Sequence, residues 1–537
     1  MSRFLGVAML LFAMAGGSVL ADEGKVVRFS LAADPANLNP LFIHMDADGG
    51  EAQLARLGFE PFVDIDEHGH EIPVLLAQIP TRANGGLSTD GRTIIYRLRP
   101  EVRWSDGVPV TASDVLFTLR AIRDTRNPVA SREGYELIDD ARALNARTIR
   151  VHLRRPWAPA VTTLFSDGVT PQYVLPEHIL GHESSLEHSA FNAVPSVGDG
   201  PFVFDSWQRG RRLVYRSNPR YWRGAPSIER VEIPVVPNPG TNLTLLETGD
   251  MDFNLIAPIQ RAALQGHSEI AFVNVPTTTM TGIAFNTRRP PLNDPRVRRA
   301  IAASVDRQGI SAKITLGVYP VAESDRPRFS WAYDPSVRQP EYNPRVADAD
   351  FEAAGWRRGS DGIRRKNGQA LELTYLQFPE STTGVRVANV VQEQLRSHGV
   401  TVTVKSVSNA QLFLPAAEGG LLASGRFDLA YIPWRMGVDP DDRFLLSCEN
   451  GSGNYMRYCD PVVNRLETEA SQDSDPTIRR TLYRRIDSIV ARDVPVLWLF
   501  EANYVYAYRA TLGGFAPNAL VPTWNAYAWH TVRAMPR

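Results

Sequence analysis

The sequence predicts an α/β protein with mixed sheets and more than one domain. Segments with the period-two pattern of strands alternate along the chain with segments that have the apolar spacing of helices. Across residues 371–404 a strand, a helix and a strand follow one another, the order of a parallel pair joined by a right-handed crossover. The 537 residues exceed what one hydrophobic core usually serves, so two or three lobes are expected.

The first predicted elements are two strands and a helix. β-branched and apolar residues dominate residues 26–31 and 93–98, and glycine, proline or aspartate bound both runs. A helix is predicted from Thr111, where Asp114 completes a capping-box pattern, to about Asp124.

The middle of the chain predicts a second helix and the parallel unit. Asp294 is a candidate N-cap and Pro295 fits the first turn, after which apolar residues trace one face as far as Val305. Alternation from Leu371 predicts a strand, a helical stripe ends at Gly399, and alternation then resumes.

The last predicted elements are a helix and an apolar strand. Asp475 and Pro476 predict the start of the helix, and the strand covers residues 496–500. The helical spacing predicts four side chains that point inward: Ile478, Leu482, Ile486 and Ile489.

Composition and charge exclude some classes of protein. The chain is 43% hydrophobic and 22% charged, close to the globular average. Its formal net charge of −1 gives no field to attract nucleic acid or anionic lipid. The balance favours a soluble protein with a discrete pocket and no nucleic-acid partner.

The N-terminus has the pattern of a secretory signal peptide, residues 1–21. Arg3 precedes an apolar run over residues 4–14, and small residues lead to Ala21, where cleavage is expected. The alternative is an N-terminal anchor helix, but the run is shorter than the ~20 residues of a comfortable span. We therefore expect an exported, periplasmic protein with no direct membrane insertion after cleavage.

Export determines the expected redox state of the two cysteines, Cys448 and Cys459. In an oxidising compartment they are expected to pair. So short a loop would contribute roughly 2 to 3 kcal/mol on the chain-entropy model. The alternative is a metal site, for which two thiols without neighbouring histidines form a poor zinc set.

Motifs of catalysis are absent from the sequence. There is no Gly-x-Ser-x-Gly elbow, phosphate-binding loop, His-Glu-x-x-His helix or dinucleotide fingerprint. His178 and His182 are a possible metal pair, although a short surface helix with solvated histidines explains them as well. Residues 64–70 are interpreted as a polar hairpin turn. No enzyme activity, metal or cofactor is predicted.

Residues 104–115 contain a distinctive run: Trp104-Ser105-Asp106-Gly107, then Pro109, Thr111-Ala112 and Asp114-Val115. This run resembles a signature of the family 5 extracellular solute-binding proteins, which serve ABC importers of peptides and nickel. Further similar motifs follow in family order along the mature chain: Leu38-Asn39-Pro40-Leu41, Phe59-Glu60-Pro61-Phe62, Val174-Leu175-Pro176-Glu177-His178, Gly198-Asp199-Gly200-Pro201-Phe202, Asn218-Pro219 with Tyr221-Trp222, Gly249-Asp250-Met251-Asp252, Phe285-Asn286, Val297-Arg298-Arg299-Ala300-Ile301, Asp306-Arg307, Ala354-Gly355-Trp356 and Ser447-Cys448.

The resemblance implies the two-lobed periplasmic binding protein fold, with hinged mixed sheets and an additional third domain. Lobe I would be discontinuous, formed by residues 22–53, 198–280 and 505–537. The extra domain would hold residues 54–197, and lobe II residues 281–504. The resemblance also implies that Trp104 and Trp222 pack in cores and that Arg298 and Arg299 lie on a solvated helix face.

Ligand-facing positions are implied by the same resemblance. The strand that ends at Trp434 leads into a loop that lines the cleft, and the loop of residues 44–50 faces it. Typical peptide receptors carry an aspartate three residues after that tryptophan, where this chain has Gly437. The expected ligand-binding residues are Asp46, Asp48, Gly49, Trp434, Arg435, Gly437 and Asp439.

The implied function is a receptor that captures a small peptide-like solute by hinge closure and delivers it to the permease of an ABC importer, as a monomer. Asp439 would replace the missing aspartate from a shifted position, because an ammonium in a dry cleft requires an anion. Two alternatives remain open. One is a receptor for a non-peptide solute, such as a metal chelate, an opine or a sugar phosphate, and the other is an exported hydrolase.

Overall fold

The computed structural model describes residues 25–43, 50–166, 171–449 and 452–532. The predicted signal peptide and its cleavage site lie outside the described residues. Within those ranges, no helix has the length and apolar character that crossing a membrane requires.

The described strands, in chain order, are β1 Val26–Arg28, β2 Val63–Ile65, β3 Glu71–Pro73, β4 Thr93–Arg97, β5 Ile138–Asn145, β6 Thr148–Leu153, β7 Phe202–Gln208, β8 Arg212–Ser217, β9 Arg230–Pro234, β10 Phe253–Ile256, β11 Ile270–Phe285, β12 Arg357–Arg358, β13 Arg364–Lys366, β14 Gln369–Ala370, β15 Glu372–Gln377, β16 Thr401–Ser406, β17 Leu429–Arg435, β18 Val496–Arg509, β19 Leu512–Gly513 and β20 His530–Thr531.

The described α-helices are α1 Gly50–Gly58, α2 Ala112–Arg123, α3 Ala160–Thr163, α4 Glu177–Leu180, α5 Pro239–Thr248, α6 Arg261–Leu264, α7 Pro295–Ser304, α8 Arg307–Ile314, α9 Pro344–Ala353, α10 Thr382–Ser397, α11 Asn409–Phe413, α12 Leu421–Ser424, α13 Arg443–Leu446, α14 Pro461–Gln472 and α15 Pro476–Asp493.

Three larger sheets organise these elements. A four-stranded sheet has the order β1-β9-β8-β7, and a three-stranded antiparallel sheet has the order β4-β6-β5. The third is six-stranded and mixed, with the order β10-β18-β11-β17-β15-β16. Each sheet packs into a separate large hydrophobic core.

The two longest strands, β11 and β18, run between two of these cores. Near one end, β18 pairs with β10 at residues 505–508, and Tyr506 belongs to the core of the four-stranded sheet. Near the other end, β11 pairs with β17 at residues 279–285, inside the core that holds Trp498. Their mutual register shifts between Pro276 and Met280. The lobes are therefore joined through two paired strands with an irregular middle.

Several sequence predictions are confirmed. Thr111 caps α2, its backbone N–H donates to Asp114 Oδ2 at 2.8 Å, and the capping box is complete. Asp294 caps α7 from the expected position. β15 and β16 are parallel and are joined through α10, as the crossover pattern predicts.

Two predictions about helix faces are wrong. Arg298 is 5% exposed, and its guanidinium donates to the carbonyls of Leu292, Asp493 and Val494 at 2.6–3.1 Å. It therefore closes the C-terminal end of α15 instead of facing solvent, which a helix end with unsatisfied carbonyls favours. Ile478, predicted inward, is 47% exposed because it lies in the first turn of α15.

The expected disulfide is present between Cys448 and Cys459, which are 11 residues apart. It closes the segment between α13 and α14. Trp104 is fully buried as expected. Trp222 is only half-buried, and the guanidinium groups of Arg99 and Arg223 lie over its ring, at 4.5 and 4.6 Å from the ring centroid.

Candidate functional site

A cavity of about 800 Å³ lies where the segment after β1 faces β10 and β18. Phe29, Phe253 and Tyr506 in its lining belong to the core of the four-stranded sheet. Tyr319, also in the lining, packs on Phe500 of the six-stranded sheet's core at 5.5 Å between ring centroids. The cavity therefore lies between two cores, and its size is within the ~300–1,000 Å³ of small-molecule sites.

Neutral polar groups make several hydrogen bonds in the walls of this larger cavity, which also carry two carboxylates. Ser30 Oγ donates to Asn242 Oδ1 at 2.7 Å, and Asn254 Nδ2 donates to the same oxygen at 2.7 Å. On the other side, Asn503 Nδ2 donates to the Val318 carbonyl at 2.9 Å. Asn503 Oδ1 is buried and accepts no hydrogen bond within the described part of the chain. Amides and tyrosine rings suit a solute with peptide-like hydrogen-bonding groups.

A smaller cavity of about 210 Å³ is lined by residues 131–163 and Gln172 on one side and by residues 437–444 and Ser452 on the other. The two sides also touch directly beside it. Trp157 Nε1 donates to Asp441 Oδ2 at 3.3 Å, and the Ala158 N–H donates to the Ser471 carbonyl at 2.7 Å. The three-stranded unit and the six-stranded unit therefore contact each other at this cavity.

Of the predicted site residues, Gly437 and Asp439 line the smaller cavity. Both carboxylate oxygens of Asp439 accept from Arg479, at 2.5 and 2.7 Å. This bidentate pair neutralises the negative charge of Asp439. A role for Asp439 as the partner of a ligand cation stays a prediction, and a ligand would have to compete with Arg479.

Trp434 and Arg435 end β17 and are not among the side chains that line either cavity. Trp434 is 4% exposed, packs against Trp498 with ring centroids 5.3 Å apart, and donates from Nε1 to the Gly453 carbonyl at 3.1 Å. Arg435 is half-buried opposite Thr279 of β11. The Trp434 ring therefore belongs to the core of the six-stranded sheet.

The remaining predicted site residues, Asp46, Asp48 and Gly49, lie outside the described residues. Their predicted contact with a solute stays a prediction. The larger cavity is lined by Ala36 before them and by Gly50 after them.

His178, one of the two histidines considered as metal ligands, has a different partner. His178 Nε2 lies 2.7 Å from Asp106 Oδ2. The segment 64–70 forms the turn between β2 and β3, where Gly69 has a φ of +83°. Within the described ranges, no group of three or more His, Cys, Asp and Glu side chains is arranged to hold a metal ion.

The model of the bacterial extracellular solute-binding proteins, family 5, matches residues 79–456, more than half of the chain. The chain belongs to this family. Protein XP55 of Streptomyces lividans is 27% identical over 497 residues, which cover 91% of this chain and 85% of that protein. Oligopeptide-binding protein AppA of Bacillus subtilis is 25% identical over 503 residues, covering 92% and 90%.

A solved structure supports the two-lobed fold of this family 5 receptor. NikZ from Campylobacter jejuni, in complex with Ni(L-His), matches with a TM-score of 0.77 at 22% identity. The match covers 95% of this chain and 99% of that chain.

Sequence reasoning missed a buried charge network at residues 440–442, in the loop after β17. Arg326 donates to both oxygens of Asp487 at 3.0 and 3.1 Å, to Asp442 Oδ2 at 3.0 Å and to the Pro440 carbonyl at 2.7 Å. Asp442 is only 1% exposed, although a cluster of aspartates beside Pro440 has the composition of a solvated turn. Over 100 residues separate Arg326 from Asp442, and no local pattern signals such a contact.

Proposed function

We propose that this receptor binds a peptide-like solute in the larger cavity, outside the cytoplasmic membrane, and presents it to the permease of an ABC importer. The observation that carries the proposal is the position of that cavity, between two cores joined by β11 and β18. A solute there would contact both lobes at once. The relative AppA is an oligopeptide-binding protein, which supports a peptide as the solute.

Hinge closure would provide the capture step. The irregular register between Pro276 and Met280 interrupts the pairing of β11 with β18, so bending there costs fewer hydrogen bonds than bending a regular ladder. A solute that contacts both lobes stabilises the closed form by its difference in affinity for the two forms. The receptor would release the solute unchanged, as a monomeric periplasmic protein without catalytic activity.

The domain limits given above form part of the proposal. The core of the three-stranded sheet, with residues from 41 to 197 and with Val521 and Trp524, supports an extra domain near residues 54–197. The core of the six-stranded sheet runs from Met280 to Phe500 and supports a second lobe over residues 281–504.

A non-peptide solute is the second candidate. The observation that favours it is the bidentate pairing of Asp439 with Arg479, which occupies an anion that a peptide ammonium would use. The solved relative NikZ is described with Ni(L-His), a metal chelate. Mass spectrometry of the solute that co-purifies with the receptor would distinguish a peptide from a chelate.

Filling the larger cavity should weaken solute binding. Ala257 is exposed in the cavity wall, and Ala257→Trp would place an indole where the solute lies. We expect the affinity for the co-purifying solute to fall at least about ten-fold, because overlapping volume excludes the solute. Calorimetric titration of the emptied protein would measure the change.

The matched control is Ala417→Trp, at an exposed alanine outside both cavities. This control should bind as the unchanged protein does. If the Ala257→Trp variant and the control bind the solute with equal affinity, the solute lies elsewhere and the proposal is wrong.

A further inference from the structure

One contact joins the turn between β2 and β3 to the second lobe, away from both cavities. The ring of Phe329, in the segment between α8 and α9, lies directly against Gly69 in that turn. A Cβ on Gly69 would lie 2.5 Å from a ring carbon of Phe329, which is too close for any larger residue. The φ of +83° at Gly69 favours glycine as well. Neither residue lines one of the two cavities, so the contact is separate from the candidate solute site.

A small apolar cluster continues this contact. Four buried side chains form the cluster, and Phe329 packs against them: Ile65, Val438, Ala519 and Leu520. Val438 and Phe329 belong to the proposed second lobe, whereas Ile65 belongs to the proposed extra domain. Asn518 Nδ2 donates to the Ile65 carbonyl at 2.8 Å, which fixes the C-terminal members of the cluster to Ile65. The cluster is therefore a junction between two bodies that hinge closure would bring together.

The segment that carries Phe329 is anchored beside the joint between the lobes. The Arg328 N–H donates to Glu501 Oε1 at 3.2 Å, and Arg328 Nε lies 3.5 Å from Glu501 Oε2. Glu501 is 1% exposed and lies on β18 opposite Met280, where the pairing with β11 resumes after its irregular stretch. Bending at that stretch would therefore carry Phe329 along with the second lobe and separate its ring from Gly69.

The junction needs no solute in order to form. In an open form the Phe329 ring, Val438 and Ile65 would face water, and closing removes their apolar surface from it. This contribution favours the closed form whether or not a solute is bound. A larger closed population also raises the apparent affinity, because a solute binds to the fraction of the receptor that is already competent.

We propose that Phe329 and Gly69 form a latch that holds part of the receptor population closed in the absence of solute. Phe329 is a positioning residue in this device, since it acts through closure and not through contact with the solute. The proposal rests on the hinge closure of the proposed function. It adds that the open–closed equilibrium is set in part by the receptor's own apolar junction.

Removing the ring tests the latch directly. In the emptied full-length mature receptor, Phe329→Ala should increase the radius of gyration measured by small-angle X-ray scattering, and Phe329→Leu should give a smaller increase. The variant should also release the co-purifying solute about ten-fold faster, because the closed form loses a stabilising contact. An unchanged radius of gyration in Phe329→Ala would overturn the proposal.

The matched control for ring loss is Phe413→Ala. Phe413 is also half-buried in the second lobe, but its ring packs on Tyr455 of the same lobe, with centroids 5.8 Å apart. This variant should keep the radius of gyration of the unchanged receptor. Equal increases in Phe329→Ala and Phe413→Ala would mean a general loosening and would overturn the latch. Thermal melting of each variant verifies that it is folded.

A second pair of variants approaches the latch from the opposite side. Gly69→Ala would place a methyl group against the Phe329 ring, whereas Gly85→Ala adds one at a glycine with a φ of +67° whose Cβ would meet nothing within 4 Å. Both alanines carry the strain of a left-handed backbone, but only the first obstructs the junction. Gly69→Ala should therefore increase the radius of gyration and Gly85→Ala should not. Equal values for the two would contradict the latch.

The outcomes separate this proposal from the proposed function. If Phe329→Ala and Gly69→Ala keep the dimensions of the unchanged receptor while Ala257→Trp weakens solute binding, the latch is wrong and the solute site stands. If both latch variants open the receptor while Ala257→Trp binds the solute normally, the latch stands and the proposed solute site is wrong.

Discussion

Replacing Arg326 with methionine is expected to destabilise the receptor by about 3–5 kcal/mol. Arg326 is 2% exposed and is bonded to Asp442, Asp487 and the Pro440 carbonyl. Methionine fills much of the same volume but leaves two buried carboxylates without their cation, and buried uncompensated charge is costly. Chemical denaturation at pH 7.5, followed by circular dichroism, would measure the loss.

The same substitution should also loosen the loop beside the smaller cavity. Arg326 fixes the loop at Pro440 and Asp442, between which Asp441 lines the smaller cavity. Without that anchor the loop is free to open locally. Backbone amides of the loop should therefore exchange hydrogen faster in the variant, at temperatures where it remains folded.

The control is Arg365→Met, which breaks the exposed pair with Asp361. Exposed ion pairs of this kind contribute little, so no measurable change in stability is expected. A comparable loss in the two variants would mean that the buried network around Arg326 has no special role, and the reasoning from burial would be wrong.

Local chemistry was the part of the fold that the sequence could predict. The capping box of Thr111 with Asp114 and the N-cap of Asp294 depend on neighbours within a few residues, and both are confirmed. The parallel pair of β15 and β16 follows from the period change along one continuous segment. In each case the decisive contacts are close in sequence.

Contacts between distant segments were not predictable in this way. Arg298 has the sequence context of a surface helix, yet its partners belong to the end of α15, almost 200 residues later. Asp442 has the context of a solvated turn, and only the fold brings Arg326 to it. Burial and partner, not residue type, decide the role of each of these side chains.

The candidate site shows the same division. The resemblance directed attention to the loop after β17, and Gly437 and Asp439 of that loop do line a cavity. It did not indicate Trp157, which lines the same cavity and donates to Asp441 from a position 284 residues earlier. It also did not indicate that Arg479 pairs with Asp439. These relations depend on how two separate units meet.

The second prediction concerns pH and begins with an imbalance of buried charge. Four acidic side chains, each at most 3% exposed, surround the single guanidinium of Arg326: Asp325, Asp442, Glu467 and Asp487. Oxygens of Asp325, Asp442 and Glu467 have no hydrogen-bond donor within the described part of the chain. Because carboxylates only accept hydrogen bonds, a proton shared between two of them is what satisfies both.

Burial raises the pKa of Glu467 to about 8, and burial raises the pKa of Asp487 to about 7. An acid whose pKa is higher in the folded than in the unfolded protein binds more protons when folded. Its protonation therefore stabilises the fold fully below the unfolded pKa of about 4.3, and this contribution is lost as the pH rises through the folded pKa. Ionisation of these two groups should therefore lower the free energy of unfolding between about pH 5 and pH 8.

Glu467→Gln should reduce that fall, because glutamine keeps the shape and hydrogen-bonding capacity of the protonated acid and cannot ionise. At pH 8.5 the variant should be more stable than the unchanged receptor by roughly 2 kcal/mol or more, and near pH 5 the two should be similar. Denaturation midpoints at pH 5, 6.5 and 8.5 provide the comparison.

The matched control is Glu469→Gln. Glu469 lies two residues further along α14, in an exposed ion pair with Arg465, so this variant should retain the original pH dependence. If both variants follow the same pH profile as the unchanged receptor, Glu467 does not hold a proton in the fold, and the prediction is wrong.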